Sequence, residues 1–235
     1  MSQDGFISYE QIGVAMTCRS FEEYVDMFQL DSESLIGPVL DVAAGASSFT
    51  ADANQRGIKT VAADPLYSLD SNSLYQRGKA EIKSATEKLT RVMEAYDWEY
   101  YHSLEQHERI RLQSLENFHA DYGASFSRDH YISARLPNLP FEDNLFSLVL
   151  CSHFLFLYEE QFDFQFHLEA IQELFRVCKP GGRILVYPLS TFKRQTYFGL
   201  KKLQSTLSAQ GIEIRRIPTT FRFLKGATDV LQIRK

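Results

Sequence analysis

Cysteine is scarce. There are three in 235 residues, Cys18, Cys151 and Cys178, far apart and with no CxxC pair. That speaks against a disulfide framework and a zinc site, and it fits a reducing, cytoplasmic setting. The six histidines form no HExxH or comparable ligand spacing, so no metal is expected. No run of about 18 apolar residues occurs, so no membrane span is expected. The first ten residues, MSQDGFISYE, lack a basic stretch followed by an apolar one, the mark of a secretion signal. Glycine is missing where a nucleotide fold would need it: the stretch PVLDVAAGASSF, residues 38–49, keeps only Gly45.

What is present is enough for a core. Hydrophobic residues make up 44% of the chain, which suits one large α/β domain and excludes wholesale disorder. The net charge of -5 hides an asymmetry. Residues 190–235 carry ten Lys/Arg against two acids, about +8, leaving about -13 for the rest.

Periodicity orders the chain. SFEEYVDMFQL places Phe21, Tyr24, Val25 and Phe28 at helical spacing behind Ser20 as N-cap. IGPVLDVAA reads as a buried strand, SSFTADANQRG as a short helix stopped by Gly57, and IKTVAADP as a second strand. About sixty residues follow before the next strand, too many for an ordinary connection. Ile82, Ala85, Leu89, Val92 and Tyr96 form one amphipathic stripe there, and residues 101–118 carry a second with Leu104, Leu112, Leu115 and Phe118. The segment at about 67–129 is therefore expected to be a helical hairpin inserted as a cover. HYISAR, LFSLVLCSH and RILVYPL supply three further strands, with FHLEAIQELFRVC as the helix before the last of them. A helix ending near Gly211 and the strands IEIRRIP and DVLQIRK close the chain. Alternating strands and helices imply a doubly wound, Rossmann-like sheet of seven strands, mostly parallel with an antiparallel C-terminal edge strand, in a single domain over 1–235.

Ligands of such sheets bind at the carboxyl ends of the strands. In a GxGxxG turn the glycines let a pyrophosphate lie against a helix N-terminus. Here Ala43, Gly45 and Phe49 stand at those positions, which disfavours a dinucleotide. Alanine at 43 and serine at 47 further imply negative φ at both, since a Cβ penalises positive φ. A ligand without phosphates needs less clearance. Asp41 would suit a cationic sulfonium, and Asp64, about twenty residues past the turn, stands where a ribose-binding acid belongs.

Four stretches together resemble the class I S-adenosylmethionine-dependent methyltransferases: VLDVAAGASSF, VAADP, LPNLPFEDNLFSLVLCSH and ELFRVCKPGGRILV. The resemblance covers about residues 36–66 and 130–235. It implies S-adenosylmethionine as cofactor, bound by Asp41, Ala43, Gly45, Ala46, Asp64, Pro65, Ser133, Ala134, Cys151 and Ser152. Ser147 stands where the family often has an acid, and Ser133-Ala134 replace the acid near the adenine amine. His153 and Tyr158 are the candidates for a base and an acceptor-pocket residue. Cys151 has no preceding proline and reads as a buried structural thiol rather than a nucleophile. Arg19 and Tyr24 are candidates to cap the methionine carboxylate, and Trp98, Tyr100 and Tyr101 read as helix packing. The acceptor is expected to be a small molecule enclosed by the helical cover. Two alternatives stand beside it: an RNA methyltransferase using the basic segment with Lys201, Lys202, Arg215, Arg216, Arg222 and Lys225, and a non-catalytic cofactor-binding protein.

Overall fold

The computed structural model describes residues 13–124 and 129–235, so the reading of the first ten residues lies outside the described part. The chain runs α1 (Phe21–Phe28), β1 (Val39–Val42), α2 (Phe49–Gln55), β2 (Thr60–Ala63), α3 (Ser71–Arg91), α4 (Leu104–Tyr122) and β3 (Tyr131–Ile132). It continues through β4 (Phe146–Ser152), α5 (Phe164–Val177), β5 (Cys178–Tyr187), α6 (Leu200–Ser208), β6 (Ile214–Pro218) and β7 (Asp229–Arg234). These strands form one sheet in the order β3-β2-β1-β4-β5-β7-β6. Strands β1 to β5 are parallel, and β7 runs antiparallel to both neighbours. The antiparallel strand expected at the C-terminal edge is β7, and it sits one place inward, with β6 outside it. The short chain between the two strands makes this order natural, because β6 and β7 pair as a hairpin and only β7 reaches β5.

Strand alternation divides the core. Leu40 and Val42 of β1 and Val149 and Cys151 of β4 face α5 and α6, packing with Ile171, Leu174, Leu200 and Leu203. Val39, Leu148 and Leu150 face the other way, against Tyr24 and Phe28 of α1 and Phe49 of α2. Phe49, too bulky for a glycine's place in a dinucleotide turn, is fully buried here and stacks on Tyr24 at 4.5 Å between ring centres.

The inserted segment is the expected hairpin of two long helices. Asp70 caps α3 by accepting the Ser73 amide, and Ser103 caps α4 by accepting that of Gln106. The helices cross closely at Gly78, where an added Cβ would come within 2.5 Å of Leu115 Cδ1. Leu74, Ile82, Leu115 and Phe118 close a third core with Met16, Cys18 and Ala62. α4 starts at Leu104 rather than at 101, and its buried face is mainly polar: His107, Arg111, Ser114, Leu115, Phe118 and Asp121. Leu112, expected on that face, points outward. β5 also begins earlier than expected. Cys178 already pairs with Phe146, and the register resumes at Leu148 opposite Arg183 after the Lys-Pro-Gly-Gly bend.

Candidate functional site

The carboxyl ends of β1, β2, β3 and β4 open into a cleft of about 360 Å³. Ala43, Asp64, Pro65 and Ala134 line it, together with the backbone stretch 14–17 and His153. Arg77 and Arg135 line it as well, and among the described residues Asp64 is its only carboxylate. Each of its oxygens accepts one backbone amide, Gly45 N on Oδ2 and Leu66 N on Oδ1, both at 2.9 Å. Burial raises its pKa, against the lowering effect of those two amides. A carboxylate oxygen offers two acceptor sites, so each retains one.

The turn after β1 differs from the sequence expectation. Ala43 has φ +56 and Gly45 φ +59, so the alanine adopts the left-handed conformation that its Cβ disfavours. Its amide is fixed by the Ala63 carbonyl at 2.8 Å, which aligns the end of β1 with β2 and holds the residue in place despite that cost. Gly45 is needed for a contact within the chain. A Cβ there would meet Thr17 O at 2.8 Å and Thr17 N at 3.0 Å. The stretch 16–19 lies directly on the turn: Ala46 N donates to Thr17 O at 2.9 Å, and Ser48 N and Ser47 Oγ both donate to Arg19 O. Tyr67 OH donates to Gly45 O from the other side.

Other expected contacts lie beneath or beside the cleft. Asp41 is fully buried and is not among the residues lining the cleft. Tyr24 OH donates to its Oδ1 at 3.1 Å, while Oδ2 has no partner. Burial raises its pKa well above the usual carboxylate value, the Tyr24 bond opposes this, and the nearby Asp64 adds to it. Asp41, expected beside the sulfonium, is bonded to α1 and is not among the residues lining the cleft. Gly45, Ala46, Cys151 and Ser152 are buried and are not among the residues lining the cleft, and Ser133 faces solvent. Burial pushes the Cys151 thiol up to about 12, which suits a structural thiol. Tyr24 is a support for Asp41 and does not line the cleft.

His153 is the residue that connects the site. It follows β4 with φ +53, accepts or donates at Nδ1 to Ser152 Oγ at 2.8 Å, and gives its amide to Tyr187 O. It lines the cleft and also a second cavity of about 130 Å³ beneath the inserted helices. Burial, and then the positive charges of Arg19 and Arg111, hold its pKa well below the ordinary histidine value. The ring is neutral at pH 7. Tyr158 lines the second cavity only, and its hydroxyl accepts the Ala15 amide at 2.9 Å.

Sequence reasoning missed a buried ionic cluster at the edge of that second cavity. Glu23, fully buried, accepts Arg19 Nη1 at 2.9 Å, Arg111 Nη2 at 2.5 Å and Ser20 N at 2.9 Å, as well as Arg111 Nη1 and Tyr101 OH. Burial alone would raise the Glu23 pKa; Arg111, then Arg19, overcome it and hold the carboxyl well below its usual range. The signal available was the spacing Ser20-x-x-Glu23, a capping box, which the structure contains. Nothing in the sequence joined it to Arg111, 88 positions away. Among the described residues no group of His, Cys, Asp and Glu is arranged to hold a metal, and no helix is long and apolar enough to cross a membrane.

Comparison with known proteins adds to the geometry. Residues 105–186 match a methyltransferase domain family. An uncharacterised protein of Methanocaldococcus jannaschii is 30% identical over 218 residues, which cover 92% of this chain and 94% of that one. Among solved structures, a candidate S-adenosylmethionine-dependent methyltransferase of Methanococcus maripaludis is 13% identical with a TM-score of 0.44, over 92% of this chain and 83% of the other. The mitomycin 7-O-methyltransferase MmcR gives 14% and 0.44, over 92% and 53%. With the first-turn acid, the β2-end acid and the seven-stranded sheet in place, the chain belongs to the class I S-adenosylmethionine-dependent methyltransferase family.

Proposed function

We propose that the protein methylates a small molecule that enters the cavity beneath α3 and α4, with S-adenosylmethionine in the neighbouring cleft. The observation that carries this reading is Asp64, the one carboxylate of the cleft among the described residues, at the end of β2 with one acceptor site left on each oxygen by the two backbone amides. Those sites suit a pair of ribose hydroxyls. The walls beside it, Leu66, Ala134, Leu136, Phe162 and Phe166, are apolar and suit a purine. S-adenosylmethionine supplies an electrophilic methyl on a cationic sulfur.

The chain's own part is to orient and to take a proton. Two cavities share His153 and residues 15–17 as walls, an arrangement that supports donor and acceptor lying on either side of one imidazole. Alignment of nucleophile and methyl at near-attack distance supplies much of the rate. Where the acceptor atom carries a proton, His153 would be the group placed to accept it.

An RNA acceptor has less support. In the basic C-terminal segment Arg215 pairs with Glu213, Arg216 with Asp229 and Lys193 with Glu160, and Lys225 Nζ donates to Glu94 O. Much of that charge is met locally. Titration calorimetry with S-adenosylmethionine, S-adenosylhomocysteine and NAD tests the reading. Both sulfur nucleosides should bind and NAD should not. Asp64→Ala should weaken the first two at least tenfold, since a hydrogen bond to a charged group contributes about 1.5–3 kcal/mol. Unchanged affinity would remove Asp64 from the site.

A further inference from the structure

Two hydrogen bonds lead from the ring of His153 into the core. Nδ1 lies 2.8 Å from Ser152 Oγ, and Ser152 Oγ donates to Met27 Sδ at 3.5 Å. Ser152 is 2% exposed, and Met27, on α1, is fully buried. A serine hydroxyl carries one hydrogen, and a thioether can only accept. With that hydrogen directed at Met27, Oγ meets the ring with a lone pair, so Nδ1 is the nitrogen that bears the ring's N–H. The ring is neutral at pH 7, and Nε2 is then bare. Nε2 has no hydrogen-bond partner among the described residues and still reaches open space, where His153 lines both cavities. The opposite arrangement would turn the Ser152 hydroxyl toward Nδ1 and leave Met27 Sδ without its donor. It would also aim an N–H into the cavity that Arg19 and Arg111 line, whose positive charges repel such a hydrogen and attract a lone pair.

The rest of the residue is held as firmly. A φ of +53 turns His153 out of the line of β4, its amide donates to Tyr187 O at 2.6 Å, and its ring meets that of Tyr187 at 5.2 Å between centres, close to edge-on. A left-handed histidine persists only where its surroundings fix it. We infer that Ser152 and Met27 are positioning residues that hold His153 in the Nδ1–H tautomer, so that Nε2 presents its lone pair to the acceptor. This deepens the proposed function and rests on it: with its hydrogen on Nε2 the ring would donate to the acceptor atom and could not take a proton there. It also gives Ser152 a place. The sequence puts this residue among the cofactor contacts, yet it does not line the cleft and acts through His153 instead.

The test reads the hydrogen itself. The full chain, with histidine labelled in its ring nitrogens, is recorded at pH 7 in long-range proton–nitrogen correlation spectra, where a bare ring nitrogen and one bearing hydrogen resonate far apart. His153→Gln identifies the His153 signals by their loss. In the wild type Nδ1 should show the hydrogen-bearing shift and Nε2 the bare one. Met27→Leu keeps the volume but offers Ser152 no acceptor, so the hydroxyl should turn to Nδ1 and the two shifts should exchange. Ser152→Ala should release the ring and bring both shifts to the intermediate values of a mixture. A merely structural role for either residue would leave the tautomer as it is. A wild type with its hydrogen on Nε2, or with a mixture, overturns the inference, and so does a folded variant at either position that keeps the wild-type tautomer. If one variant does not fold the other decides, and if neither folds the wild-type spectrum does. Failure of S-adenosylhomocysteine to bind the wild type, read in a separate titration, sinks the proposed function instead and leaves the tautomer assignment standing.

Discussion

Glu23→Gln is the perturbation with the largest expected effect on stability. The carboxylate is fully buried, lies between two guanidiniums and accepts five hydrogen bonds, from Arg19, Arg111 (two), Tyr101 and Ser20. The amide keeps the shape but removes the charge, and its NH₂ faces donors where the carboxylate faced them as an acceptor. Two buried cations then have no counter-charge. Breaking a buried pair by removing one partner costs about 3–5 kcal/mol. At about 2–4 °C per kcal/mol for a chain of this size, the melting temperature should fall by about 6–20 °C. Arg111→Met alone should cost a similar amount, and the double variant clearly less than the two together, because the same interaction is lost only once. The pH dependence has a definite sign. Glu23 has a lowered pKa in the folded state, so its contribution is complete above its unfolded value of about 4.5 and is lost as pH falls below it. The Gln variant should therefore lose part of the wild type's acid limb. Calorimetric melting from pH 3 to 8 measures both effects. A drop below 3 °C at pH 7, or additive single and double variants, would refute the claim that this cluster fastens the inserted helices to α1.

Three further outcomes follow from other residues. Ala43→Gly should stabilise the protein: relief of the left-handed alanine gains about 1–2 kcal/mol, the freer unfolded chain gives back about 0.4–1, and the melting temperature should rise by roughly 2–3 °C. Wild-type stability should begin to fall as pH drops below about 6.5, because His107, lowered to about 2 by burial and Arg111, and His153, also lowered by burial, take up protons on unfolding; replacing His107 by Phe should flatten that slope in melts from pH 4 to 8. Cys151, buried with its thiol pushed up to about 12, should resist iodoacetamide in the native protein and react on unfolding, as mass spectrometry of the modified peptide would read.

The elements were legible because their signals are local. Hydrophobic spacing sets α1, α3 and the strands, and the sixty-residue gap after β2 announces the inserted hairpin. Asp64 was legible because its position is fixed by chain distance from the turn. What failed were inferences that treated the turn as self-contained. Alanine at 43 argued for negative φ, yet the residue sits at +56 with its amide bonded to Ala63 O. Gly45 argued for a close ligand, yet its neighbour is Thr17, 28 positions earlier, in a stretch with no periodicity to mark it. The polar face of α4 was hidden for a related reason. Without Glu23 opposite, a stripe of His107, Arg111 and Ser114 looks like a face meant for water.

The stretch 16–19 laid over the turn has a consequence for discrimination among nucleotides. In dinucleotide folds the first amides of the helix after β1 are vacant until a phosphate arrives. Here Ala46 N is already spoken for by Thr17 O, and Ser48 N by Arg19 O and Ser114 Oγ. A phosphate would have to evict two carbonyl groups and a hydroxyl that are tethered to the same chain and therefore present at very high effective concentration. Selectivity against phosphorylated nucleosides is thus built in by prior occupancy, with no repulsive charge required. The same occupancy frees the turn's sequence to drift: once the chain's own carbonyls satisfy those amides, glycine is compulsory only where Thr17 presses against the backbone, and alanine and serine can stand in the other places.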